Sequence, residues 1–142
     1  MNNSILLPAA TLVLWSMIVL LWMTATRLPQ LVKLGDRFKS APPGGRYQDI
    51  EAMMPAHVNW KSHNYTHLME QPTIFYPAVI VLFLADAGTG TNLYLAWGYV
   101  GLRIAHSLWQ GLVNQIRVRM ALFILSSVCL LALAINAVRA TI

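Results

Sequence analysis

One cysteine, four histidines and five acidic residues are all that the 142-residue chain carries of those types, and each scarcity removes a class of protein. A solitary Cys129 excludes an internal disulfide framework and a zinc site built on cysteine alone. Charged residues make up 11% of the chain, against about 25% in an average soluble domain. With 57% hydrophobic residues, that balance excludes both intrinsic disorder and a water-soluble globule. The net charge of +5 does not point to nucleic acid, because the basic residues are scattered among long apolar runs instead of gathered on a polar domain. The length fits one domain, and no repeat or low-complexity tract divides it.

What is present is apolar length. A helix needs roughly 20 apolar residues to cross a bilayer core, and four stretches of that scale are expected to span, at about 5–27, 66–85, 92–113 and 118–139. The first has no Lys or Arg before it and exceeds a usual signal-peptide core, so it is expected to remain in the mature protein. The second contains Glu70, Pro72 and Pro77 and is expected to bend. A long loop of about 28–61, with Pro29, Pro42-Pro43-Gly44-Gly45 and Pro55, separates the first two spans, whereas the other joints are tight turns. Arg27, Lys33, Arg37, Lys39, Arg46 and Lys61 lie on or beside that loop, and Arg117 and Arg119 lie at the third joint. The positive-inside rule then places both connections in the cytoplasm and both termini on the opposite side. Trp22, Trp60, Tyr65 and Trp109 fall near the cytoplasmic interface, with Tyr94 and Trp97 near the other. On span three, Gly98, Gly101 and Ala105 form a small-residue strip suited to close helix approach, within the chain or between copies.

Polar residues interrupt these spans at one level. His63, His67 and Glu70 share a helical face at i, i+4 and i+7, and Arg103, His106 and Gln110 do so at i, i+3 and i+7. Charged groups in lipid cost roughly 2.5 to 3.5 kcal/mol each, so they face protein or a watery cavity. With Arg27 and Arg119 at the same level, they form a candidate pocket for a small ligand bearing carboxylates and an ammonium: guanidinium forks grip carboxylates and Glu70 takes the amine. Glutathione has that charge pattern, and a cation beside its thiol favours the nucleophilic thiolate. The bilayer would deliver a lipophilic second substrate. Structural readings stand beside these: a buried Glu70–Arg103 ion pair, interfacial anchoring by Arg117 and Arg119, and core packing of Cys129. His63, His67, Glu70 and His106 also permit a metal site, although four histidines cannot supply the full set of a membrane desaturase.

These residues resemble the MAPEG family, the membrane-associated proteins of eicosanoid and glutathione metabolism. The resemblance covers most of the chain and rests on His67-Leu68-Met69-Glu70 entering span two, Gly101-Leu102-Arg103-Ile104-Ala105-His106 in span three, and Arg119 opening span four. It implies an all-α integral membrane fold, a four-transmembrane-helix bundle forming a single domain over 1–142 and assembling as a homotrimer. Glutathione, as co-substrate, would occupy pockets between neighbouring subunits that open toward the cytoplasm. Glu70 and His106 would contact it, Arg119 would stabilise its thiolate as the catalytic residue, and Arg27 would be the contact from the first helix. Two positions differ from the family pattern: His67 stands where the transferases commonly have asparagine, and Gln110 where several have tyrosine.

The leading expectation is a membrane glutathione-dependent transferase or peroxidase for lipophilic electrophiles or lipid hydroperoxides, with His63, His67, Glu70, Arg103, His106, Gln110 and Arg27 as binding residues. The two departures favour an alternative, a non-catalytic lipid-binding or scaffold subunit of the same fold; a His/Glu metal-dependent enzyme ranks third. Membrane lipid, a lipophilic small molecule and further copies of the chain are the expected partners, and the short joints fit a bacterial inner membrane.

Overall fold

The computed structural model describes residues 3–36, 40 and 43–142. Arg37, Lys39 and Pro42, counted above with the first loop, lie outside the described residues, as do Met1 and Asn2. Helices account for nearly all of the described chain: α1 (Leu6–Leu34), α2 (Ala56–Glu70), α3 (Pro72–Leu84), α4 (Thr91–Leu112) and α5 (Ile116–Thr141), with a short 3-10 helix at Tyr47–Met53. The described residues contain no strand.

Helix α1 continues past Pro29, where the loop was expected to begin, and stops only at Gly35, whose φ of 52° is left-handed. A proline removes one N–H, but two residues earlier Arg27 is buried and donates from Nη1 to Ser62 Oγ at 2.7 Å, tying this end of α1 to α2. The loop is likewise shorter than expected. Its 3-10 turn is closed by Asp49, whose carboxylate accepts the Arg46 N–H at 2.8 Å, and α2 starts at Ala56.

Helices α2 and α3 form one rod. Gln71 between them keeps helical dihedrals (φ −64°, ψ −37°), and Pro72 sits in the first turn of α3, where a missing N–H costs least. The carbonyls at the end of α2 find other donors: Arg103 Nη2 reaches the His67 oxygen at 2.6 Å and the Thr73 hydroxyl reaches that of Glu70 at 2.5 Å. Gln71 also bolts three helices together. Its Nε2 donates to Ser127 Oγ of α5 at 2.7 Å, and its Oε1 accepts from Tyr99 of α4 at 3.5 Å. Tyr99 in turn stacks on Phe75 of α3, ring centres 4.4 Å apart.

Three stretches, Leu6–Leu34, Ala56–Leu84 and Ile116–Thr141, are long and apolar enough to cross a membrane. Helix α4, expected as a span, has 22 residues but is less apolar, since Arg103, His106, Ser107 and Gln110 lie on its buried face. The core runs along the bundle through Leu12, Val19, Phe75, Leu82, Tyr99 and Leu133, while Leu7, Leu14, Leu21, Val128 and Leu131 point outward, the pattern of helices facing lipid. The small residues of α4 divide their roles. Gly98 faces Cys129 within the chain, whereas Gly101 has nothing within 4 Å of where a Cβ would stand. The close approach is instead at Gly111, where an added Cβ would lie 2.6 Å from the Trp22 ring of α1.

Gly111→Ala is therefore expected to destabilise by about 1–3 kcal/mol through overpacking. Gly101→Ala should be neutral or stabilising by up to about 1 kcal/mol from helix propensity. Thermal unfolding in detergent, with both variants in parallel, measures the contrast.

Candidate functional site

Helices α2, α4 and α5 converge at the end of the bundle that holds the Asn114 joint. The α4–α5 turn is short because Val113 and Asn114 fold back on α4, the Asn114 N–H meeting the Trp109 carbonyl at 2.7 Å with Asn114 left-handed (φ 58°). That geometry returns α5 alongside α4 and places Arg119 one turn into it. Arg119 Nη1 donates to Asn114 Oδ1 at 2.5 Å, so the turn residue also holds the guanidinium.

The three helices enclose a pocket of about 180 Å³ lined by His67, His106, Ile116, Arg119, Met120 and Phe123. Its polar wall has an ordered geometry. The imidazoles of His67 and His106 meet edge to face, 5.8 Å between ring centres, and each lies edge-on or tilted to Phe123, at 6.5 and 6.4 Å. Behind them Arg103 is only 1% exposed, with its guanidinium 5.8 Å from the Phe123 ring centre. Its Nε and Nη1 have no partner, nor has the buried Nε of Arg119. Buried guanidinium N–H groups without acceptors are uncommon; of the two residues only Arg119 lines the pocket, and Arg103 stands behind it.

The other predicted residues divide. Glu70 flanks the pocket, its Oε2 3.5 Å from His67 Nδ1, with 60% of its side chain exposed. It makes no ion pair with Arg103, whose contact is the His67 carbonyl. Gln110 is buried within the bundle with Oε1 unpartnered and does not line the pocket. His63 is turned away: its Nε2 meets Glu51 Oε1 of the 3-10 helix at 3.0 Å. With His63 drawn off, no group of three or more His, Cys, Asp or Glu among the described residues is arranged to hold a metal ion. Arg27 lines a separate cavity of about 380 Å³ between α1 and α2, with Met23, Ser62, Tyr65, Thr66 and Met69.

The chain matches the model of the MAPEG family over residues 5–139, nearly its whole length. It belongs to the MAPEG family. With three helices suited to crossing a bilayer, this MAPEG protein is an integral membrane protein, and its membership is consistent with glutathione-related or eicosanoid metabolism. No curated protein and no solved structure matches the chain.

Three residues that line the MAPEG pocket, Ile116, Met120 and Phe123, escaped the sequence reading, as did Asn114, which holds Arg119. Phe123 sits four positions after Arg119, the helical spacing that puts both on one face of α5. Asn114 follows the end of α4, where asparagine commonly adopts the left-handed cap. Asn114→Gly should keep the turn and the melting temperature while releasing Arg119, read as faster modification of Arg119 by phenylglyoxal in peptide mass spectra. Asn114→Ala, strained at positive φ, should cost about 1–2 kcal/mol in unfolding experiments.

Proposed function

We propose that this MAPEG protein is a membrane glutathione-dependent transferase or peroxidase acting on lipophilic electrophiles or lipid hydroperoxides. The observation that carries the reading is the convergence of His67, His106 and Arg119, from three helices, on a pocket otherwise walled by Ile116, Met120 and Phe123. One side offers cations and imidazoles, the other an apolar face continuous with the exposed surface of α5. The donor set fits a polyanionic tripeptide: the Arg119 guanidinium in the pocket wall suits a carboxylate, and the exposed Glu70 suits an ammonium. Bound glutathione supplies a thiol whose deprotonated form is the nucleophile. Arg119 favours that anion by its charge, Glu70, His106 and His67 hold the peptide, and Arg103 braces the wall from behind. Ile116 and Met120 admit the lipophilic substrate from the bilayer.

A pocket of about 180 Å³ falls below the roughly 300–1,000 Å³ usual for small-molecule sites. Arg27 meanwhile lines a cavity of its own, away from Arg119. Both features support a homotrimer in which each site is shared, Arg27 of one copy completing the pocket of the next. In this reading α4 is the fourth crossing, the chain is one domain, and the loop and Arg119 ends face the cytoplasm with both termini opposite. Gln110 then serves the bundle interior, and His63 the loop. A bacterial inner membrane fits the short joints between the later spans.

Isothermal titration of the purified protein with glutathione tests the assignment. Binding at millimolar concentration or tighter is expected; its absence overturns the glutathione reading and favours a lipid-binding or scaffold subunit. Arg119→Ala should lose the thiolate ultraviolet absorbance and lower turnover by about 10²-fold or more, with the oligomer unchanged in size-exclusion chromatography. Unchanged turnover rejects the role of Arg119.

A further inference from the structure

A thiol that becomes a thiolate must give its proton to something, and arginine cannot take it. The structure offers an acceptor. His67 lines the pocket, yet its Nδ1 is buried without a hydrogen bond and lies 3.5 Å from Glu70 Oε2. The ring thus has one nitrogen beside a carboxylate, whose charge favours the cationic form, and Nε2 is the nitrogen left to take a proton. Its position is held from three sides. The ring meets His106 of α4 and Phe123 of α5 at 5.8 and 6.5 Å, and the backbone carbonyl of the same residue is fixed by Arg103 at 2.6 Å.

We propose that His67 is the base that takes the thiol proton, with Glu70 as the neighbouring charge that supports its protonated form. The proposal rests on the glutathione reading above. The charged and titratable groups around the ring are Glu70 and His63 on its own helix, Arg103 and His106 on α4, and Arg119 on α5. Among these Glu70 supplies the negative charge that offsets the arginines when His67 is protonated, and His63 is engaged by Glu51. In the step itself the S–H bond breaks with its electron pair left on sulfur, and an N–H bond forms at His67 Nε2. The imidazolium then returns that proton to the leaving group of the lipophilic substrate, so His67 ends neutral. Arg119 and His67 divide the work: one stabilises the anion, the other carries the proton.

The test uses the full oligomeric protein and its His67→Gln variant, with His67→Asn as a second variant of different side-chain length. Glutathione and S-methylglutathione are titrated calorimetrically in two buffers of different ionisation enthalpy, and thiolate absorbance is read at the same pH. In the wild type, thiolate should form with little proton release to the buffer, because the protein keeps the proton. In both variants the thiolate signal should fall severalfold, or each thiolate should be matched by one released proton, and kcat should drop by about 10²-fold or more. S-methylglutathione, which has no proton to give, reads the part His67 plays in holding the peptide, and its affinity should fall much less than the thiolate signal in both variants. A variant with the wild-type thiolate signal and proton count overturns the base. So does a loss of S-methylglutathione affinity as large as the loss of thiolate, which makes His67 a binding residue only. A wild type that binds neither peptide overturns the glutathione reading and the base with it.

Discussion

The contact on which the pocket depends is the hydrogen bond from Arg103 to the carbonyl of His67. Pro72 deprives only the Leu68 carbonyl of its helical donor, and in a membrane any further polar group on the α2–α3 rod has protein, not water, to pair with. A guanidinium at the end of α2 both satisfies a carbonyl and places positive charge at the negative pole of that helix. The same contact sets the register of α4 against α2. With Arg103 opposite His67, the next turn of α4 brings His106 against the His67 ring, and the neighbouring helix brings Phe123 against both. The polar wall thus follows from the one arginine that registers α4 against α2.

One level deeper, Gln71 ties the same three helices through Tyr99 and Ser127. Further polar contacts brace the rest: Trp15 to Ser107 between α1 and α4 at 3.0 Å, and Asn136 to Asn92 between α5 and α4 at 2.7 Å. Hydrogen bonds between membrane helices contribute about 0.6 kcal/mol on average, so none of these holds the bundle alone. Their value is geometric. Lipid tails are as apolar as leucine, and apolar packing between helices leaves their rotation and sliding weakly specified. A polar pair has one register in which both members are satisfied, and four such pairs leave the helices of the bundle little freedom to rotate or slide.

The helical faces were legible in the sequence because period 3.6 decides them: His67 with Glu70, Arg103 with His106, and Arg119 at the head of α5 come together as their spacing implies. What periodicity does not contain is the partner each face meets. His63 shares the helical stripe of His67, yet Glu51 of the loop takes it, a contact across 12 positions that no helical spacing encodes. Arg27 lies at the right depth but on the α1–α2 side of the bundle, since depth follows from distance along the helix and azimuth from packing. Gly111 shows the same limit. A strip of glycines and alanines is visible on α4, but which of them meets a tryptophan depends on the neighbouring helix.

The exposure of Glu70 bears on how the protein sits in its membrane. Within one chain 60% of this side chain is uncovered, near the middle of a rod that is long and apolar enough to cross the bilayer. A carboxylate facing lipid there costs on the order of a few kcal/mol, more than its 3.5 Å contact with a partly exposed imidazole returns. The face carrying Glu70 therefore needs water or protein over it, and the apolar neighbours Met69 and Ile74, also exposed, are poorly matched to water. A second copy covering that face satisfies both demands: it buries the apolar neighbours and encloses the carboxylate beside a polar pocket. This is why the shared-site homotrimer proposed above accounts for more of the surface than an isolated bundle does. It also gives the cavity around Arg27 a counterpart, since a cation beside an opening on one face and a carboxylate beside an incomplete pocket on another are complementary across a repeated interface.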